Sequence, residues 1–195
     1  MSKFPDADAR LPEIDAEYWK IKYPSLLVHE ARAAAGRTGD TEMVYGTTPG
    51  EAVLALLDFA GATADDVFYD LGCGLGVPTI VAALVCKKST GIELLPEIAQ
   101  QAQAVADALK LSNVSFLVGD LKSADVSDGT IVYCYSTCLR EESRLALGER
   151  VALARPGTRV LTVTHGLTHE ALELKERREI GWEGRTRSVY LYIRR

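Results

Sequence analysis

The 195-residue chain lacks any run of about 18 apolar residues, so no membrane-spanning helix is expected. Its start, MSKFPDADARLPE, carries charges with no apolar stretch behind them, which does not read as a secretory signal. The expected location is therefore the cytoplasm, or the nucleus. Basic residues are outnumbered 22 to 27, for a net charge of −5. That balance argues against direct nucleic-acid binding through a basic surface and suits a basic protein target. Cysteine is scarce: Cys73, Cys86, Cys134 and Cys138 are all there is. Cys134 and Cys138 are four apart but have no second ligand pair, so reduced structural thiols are expected and a zinc site is not. His165 and His169 have a spacing that could hold a metal on a helix, yet no acid or cysteine nearby completes a set. Internal repeats and low-complexity segments are also missing. What remains is an ordinary globular composition, 47% hydrophobic, in a chain long enough for one domain with a real core.

The informative stretch is Phe68 to Glu93, FYDLGCGLGVPTIVAALVCKKSTGIE. Val67, Phe68 and Tyr69 are apolar and strand-prone and run directly into Asp70. The chain then breaks at Gly72-Cys73-Gly74-Leu75-Gly76. An apolar run from Ile80 to Val85 predicts a helix covering a sheet, and Ser89 to Ile92 predicts a second strand ending on Glu93. Strand, glycine turn, helix, strand and acid is the order of a nucleotide-binding βαβ unit. Glu93 follows Gly72 by 21 residues, close to the ~20 such a unit needs. Gly72 and Gly74 let backbone approach a ligand where a Cβ would collide, and Glu93 can accept both hydroxyls of a ribose.

A dinucleotide fingerprint reads G-x-G-x-x-G and holds a pyrophosphate at a helix N-terminus. Here the glycines read G-x-G-x-G and Asp70 precedes them. A carboxylate there would repel a pyrophosphate and attract the ammonium group of a methionine moiety. DLGCG, Asp70 to Gly74, resembles the first motif of class I S-adenosylmethionine-dependent methyltransferases, and GIE resembles their ribose-binding acid. The resemblance implies a cofactor site at Asp70, Leu71, Gly72, Cys73, Gly74 and Gly76, and at Glu93 with Leu94 after it.

Thr48-Pro49-Gly50-Glu51 reads as a capping box with proline at the first helical position, opening a helix to about Ala60. Before it, Asp15 to Ile21 predicts a short helix burying Tyr18, Trp19 and Ile21, and Leu26 to Ala35 a second one. Residues 1–40 are thus expected to form a helical extension, either a cap or a lid, on a catalytic domain at 41–195. After Glu93 come a helix from Pro96 to Leu109, a strand from Val114 to Val118 and a strand from Thr130 to Cys134. A helix from Glu141 to Leu153, a strand from Thr158 to Thr164, a strand from Leu172 to Ile180, a loop over 181–186 and a last strand from Ser188 to Ile193 complete the chain. The expected fold is α/β: a Rossmann-like three-layer sandwich whose seven-stranded, mostly parallel sheet ends in an antiparallel C-terminal hairpin.

Three separated motifs narrow the resemblance. Tyr45-Gly46-Thr47-Thr48-Pro49 is similar to a cofactor-covering loop in two families. One is the disruptor-of-telomeric-silencing histone lysine methyltransferases, which read Y-G-E-T. The other is the small archaeal protein lysine methyltransferases, which read Y-V-P-T-P. The resemblance implies cofactor contacts from Tyr45, Gly46, Thr47 and Thr48, with Thr47 where the histone enzymes carry glutamate. It also implies that Asp120 receives the adenine amino group, with Leu121 packed on the ring. Trp182-Glu183-Gly184-Arg185 and Ser188-Val189-Tyr190-Leu191-Tyr192 resemble the C-terminal runs of both families; in the histone enzymes the tryptophan and the first tyrosine line a lysine channel, and Val189 stands in place of that tyrosine.

The segment after the fourth strand, Tyr135-Ser136-Thr137-Cys138, lies where ligands sit in open α/β sheets. It lacks the N-P-P-Y or D-P-P-Y of base-modifying amino-methyltransferases. The candidate acceptor-side residues are Tyr45, Tyr135, Ser136 and Trp182, with Tyr135 also on the cofactor. The expected function is methylation of protein lysine side chains from S-adenosylmethionine. A small-molecule methyltransferase and a noncatalytic cofactor-binding module are the alternatives.

Overall fold

The structure, a computed structural model, describes every residue except Met1 and Tyr45. Three N-terminal helices, α1 (Pro5–Asp8), α2 (Leu11–Tyr18) and α3 (Pro24–Ala34), precede the sheet. Each carries a proline in its first turn, where the missing N–H is harmless and the fixed φ suits a helix. Pro12 moves the start of α2 ahead of the expected Asp15, and the helix ends at Tyr18. Leu11 and Ile14 become its buried face, and Trp19 is left 86% exposed rather than buried. Tyr18 keeps an inward role, donating its hydroxyl to the Leu75 carbonyl at 2.7 Å and tying α2 to the glycine turn.

The alternation that follows is α4 (Gly50–Phe59), β1 (Val67–Leu71), α5 (Val77–Ala83), β2 (Lys88–Glu93), α6 (Pro96–Ala108), β3 (Val114–Val118) and β4 (Ile131–Tyr135). A 3₁₀ turn at Ser136–Cys138 leads to α7 (Glu141–Val151), β5 (Arg159–Val163), β6 (Leu172–Trp182) and β7 (Arg185–Arg194). The seven strands lie in the order β3-β2-β1-β4-β5-β7-β6. The first five are parallel, β7 is antiparallel to β5, and β6 pairs antiparallel with β7. The expected architecture, including its antiparallel end, is what forms.

Central strands read as continuous apolar runs because both faces are covered. Phe68, Ile131, Tyr133, Leu161 and Val189 point to a core shared with α4, α5 and α6. Tyr69, Leu71, Val132, Cys134 and Val160 point to the opposite core, shared with Leu147 and Val151 of α7. Strand order reverses between β1 and β4, which opens a crevice at their carboxyl ends.

Two expectations change. Thr48 does not cap α4: Pro49 occupies the N-cap and no side chain caps the helix. The Thr48 hydroxyl instead lies 3.0 Å from the Tyr133 hydroxyl in the core, a tertiary partner that outcompetes the local one. The expected loop over 181–186 shrinks to a two-residue turn. Glu183 and Gly184 both have positive φ, 51° and 68°, as a type I′ hairpin needs, so β6 and β7 pair as far as Trp182 and Arg185.

Candidate active site

The glycine turn after β1 is built around Glu93. Gly72 (φ 82°) and Gly74 (φ 54°) adopt left-handed backbone that other residues take only under strain. Gly72 and Cys73 donate their N–H groups to the Ile92 carbonyl at 2.9 and 3.0 Å. Gly74 N–H then donates to one Glu93 oxygen, and Leu95 N–H to the other, both at 2.9 Å. The Leu94 backbone N–H also bonds to the carboxylate, and its remaining acceptor capacity faces the cleft. Burial raises the Glu93 pKa against these backbone donors. Asp70, the penultimate residue of β1, is fully buried and accepts from the Thr79 hydroxyl at 2.8 Å. Burial, with the Glu93 charge adding to it and the Thr79 bond opposing, pushes Asp70 up to about 7.

These residues face a cleft. Gly46, Leu71, Gly72, Cys73, Gly74, Glu93, Leu94, Asp120, Leu121 and Tyr135 line it. An adjoining hollow shares Gly46, Gly72, Cys73 and Tyr135 and adds Thr47, Thr48, Asp70, Gly76 and Tyr133. Asp120 accepts the Lys122 N–H at 2.9 Å, capping the turn after β3. Gly76 has a packing reason of its own: a Cβ there would lie 2.4 Å from the Phe116 ring. Tyr45 lies outside the described residues.

Two expected site residues lie elsewhere. Ser136 is fully buried, and its hydroxyl donates to the carbonyls of Val163 and His165 at 2.7 and 2.9 Å. It ties the ends of β4 and β5 together and offers no hydroxyl to the cleft. Trp182 is 7% exposed and lines neither hollow. Its ring stands behind Tyr135, centroids 6.3 Å apart. The histidine pair lies off any helix, and His169 accepts the Ala171 N–H at 3.0 Å. Among the described residues no cluster of metal-ligating side chains exists, and no helix is long and apolar enough to cross a membrane.

Sequence reasoning missed the strap over the cleft. Arg37, Asp40, Glu42 and Val44 line it from the N-terminal side. Glu42 accepts the Arg140 N–H at 2.5 Å and the Ser143 hydroxyl at 2.9 Å. Arg140 reaches back to the Thr41 hydroxyl at 3.2 Å. A capping box normally pairs the N-cap N–H with a glutamate three residues on. Here that position is Ser143, and a glutamate about 100 residues away in sequence supplies the carboxylate. No local pattern could reveal it.

The donor set decides which ligand fits. The turn after β1 presents two buried carboxylates and exposed glycine backbone, which suits a cationic, ribose-bearing group and disfavours a pyrophosphate. The fold and this cleft define a class I methyltransferase, and S-adenosylmethionine is its cofactor. Residues 27–181 match the model of the family "Histone methylation protein DOT1". The chain belongs to that family. It is 31% identical over 153 residues to a protein-lysine N-methyltransferase of Saccharolobus islandicus, covering 76% of this chain and 92% of the relative. A solved RNA methyltransferase of Salinibacter ruber, in complex with S-adenosyl-L-homocysteine, superposes with a TM-score of 0.63 at 30% identity. That likeness covers 76% of this chain and 93% of the other. A shorter match, 37% over 68 residues, links 35% of this chain to 14% of an uncharacterized RNA methyltransferase of Chlorobaculum tepidum.

Proposed function

We propose that this chain is a protein-lysine N-methyltransferase. The observation that carries the proposal is the match over nine-tenths of an archaeal protein-lysine N-methyltransferase, joined to a family model for histone methylation. In this reading Glu93 holds the ribose hydroxyls through the acceptor capacity its backbone donors leave open. Asp120 and Leu121 take the adenine end, and Asp70 faces the methionine ammonium group. The N-terminal helices and the strap act as a lid.

The bound cofactor supplies an activated methyl group, and the protein has to align an acceptor with it and exclude water. Tyr135 stands where the two hollows meet, so the acceptor end is assigned to it, with Trp182 backing its ring. A lysine must lose its proton first, which costs about 4 kcal/mol near neutral pH. An apolar, half-closed wall disfavours the ammonium form and reduces that cost.

The Salinibacter ruber likeness supports a second reading, an RNA acceptor. Two features weigh against it. The chain after β4 reads Tyr135-Ser136-Thr137-Cys138 with no base-clamping Pro-Pro pair, and the net charge is −5. Cell extract incubated with methyl-labelled S-adenosylmethionine, then split into protein, RNA and small-molecule fractions, tests the proposal. Label in protein, removed by protease and retained through ribonuclease, is expected. Label confined to RNA or small molecules contradicts it.

A further inference from the structure

Outside the cofactor residues, a single side chain ties the acceptor end together. Arg187 on β7 is 13% exposed. Its Nε donates to the Tyr135 hydroxyl at 2.8 Å. Its Nη1 donates to the carbonyls of Trp182 at 2.8 Å and Arg185 at 3.2 Å. Its guanidinium plane lies 4.2 Å from the Trp182 ring, within cation–π range. The nearest carboxylate, Glu183, is 3.9 Å away and half exposed, so it screens the charge weakly. One planar fork thus joins the end of β4 to the tip of the β6–β7 hairpin. An arginine whose Nε and Nη1 donors reach three separate acceptors is not replaced in kind by lysine, whose ammonium lacks the planar fork.

The Trp182 indole N–H is buried and has no hydrogen-bond partner among the described residues. An orphaned buried donor costs free energy, so the ring stays where it is because something else holds it. Core packing holds it, with the Arg187 guanidinium and Tyr135 fixing its cleft-side edge. Arg187 also settles the Tyr135 hydroxyl. A phenol oxygen that accepts from Arg187 on one side keeps its own hydrogen for the other side.

We infer that Arg187 is a positioning residue for methyl transfer: it clamps Tyr135 and Trp182 into one rigid wall at the acceptor end of the cleft. This rests on the assignment of that end to Tyr135. The clamp acts on the acceptor and not on the cofactor, because Arg187 touches none of the residues around Glu93.

The test uses the full chain with Trp19→Phe, which removes the exposed tryptophan and leaves Trp182 as the sole reporter. In that background Trp182 emission resists quenching by acrylamide. Arg187→Lys, which keeps the charge and loses the fork, is expected to raise the quenching constant about threefold. Tyr135→Phe is expected to raise it similarly. The kcat for methylation of bulk histone as a lysine-rich probe is expected to fall about tenfold in Arg187→Lys. Calorimetric affinity for S-adenosylmethionine stays within twofold. The Arg187→Lys/Tyr135→Phe double variant should be no slower than the slower single variant, since both break the Arg187–Tyr135 bond. Unchanged quenching in Arg187→Lys overturns the clamp whatever the acceptor is. Increased quenching with an unchanged kcat overturns its role in transfer. If the parent protein methylates no lysine at all, the lysine assignment falls, and quenching still decides the clamp.

Discussion

Glu93 joins the glycine turn, at Gly74, to the start of the segment after β2, at Leu95, while its remaining lone pairs face the cleft. Glu93→Ala therefore removes the ribose acceptor and also orphans two backbone N–H groups. Two charge-assisted hydrogen bonds are worth about 3 kcal/mol, so roughly 100-fold weaker S-adenosylmethionine binding is expected by calorimetry. Equal affinity in the variant and the parent would remove Glu93 from the site. Asp70 makes a different prediction. Its folded pKa stands at about 7, above the ordinary carboxyl value of about 4. Between those values the folded state holds a proton that the unfolded chain has released, so Asp70 lowers stability as pH rises from about 4 to about 7. Asp70→Asn abolishes that penalty, on the order of 4 kcal/mol at most. Denaturant midpoints of the two proteins should diverge in favour of the variant between about pH 3 and about pH 8, about one unit outside the transition at each end. Parallel curves contradict the assignment. Both carboxylates were legible in the sequence because each stands at the carboxyl end of its own strand. Thr48 was misread because a capping box is a local pattern, and its hydroxyl is taken by Tyr133, 85 residues on.

Helix α7 begins without a capping side chain of its own. Glu42 completes it from the strap, so the strap and the segment after β4 are one mechanical unit. Glu42→Ala should cost about 1 kcal/mol of stability, as the loss of a helix cap does. It should also raise the KM for S-adenosylmethionine several-fold, because Arg37, Asp40 and Val44 then lose their anchorage over the cleft. Glu42→Gln keeps an acceptor for Arg140 and should lie close to the parent. A KM in Glu42→Ala equal to the parent's would show that the strap holds itself in place. The hairpin carries its own test. Gly184 sits at φ 68° in the two-residue turn, and Gly184→Ala should lower stability by about 1 kcal/mol. Strand and helix periodicity located nearly every element. Pro12 shifted α2 toward the N-terminus, and so Trp19 ended outside the core. Glu42 stayed hidden because its partners are about 100 residues away, and Arg187 because its Tyr135 bond forms only across the fold.

The whole molecule combines an acidic net charge with a parallel sheet whose switch point faces the cleft. Long-range attraction to a basic protein is screened within about 8 Å at physiological salt and within about 3 Å at 1 M. Activity on a basic substrate should therefore fall as salt rises, while cofactor affinity changes little. The central claim concerns the methyl acceptor. The most direct measurement is mass spectrometry of proteins from extract treated with the parent chain, with Glu93→Ala in parallel. Mass increments of one or more methyl groups on lysine side chains, absent with Glu93→Ala, are the predicted result. Methyl groups found only on RNA, on small molecules or on other side chains would contradict it.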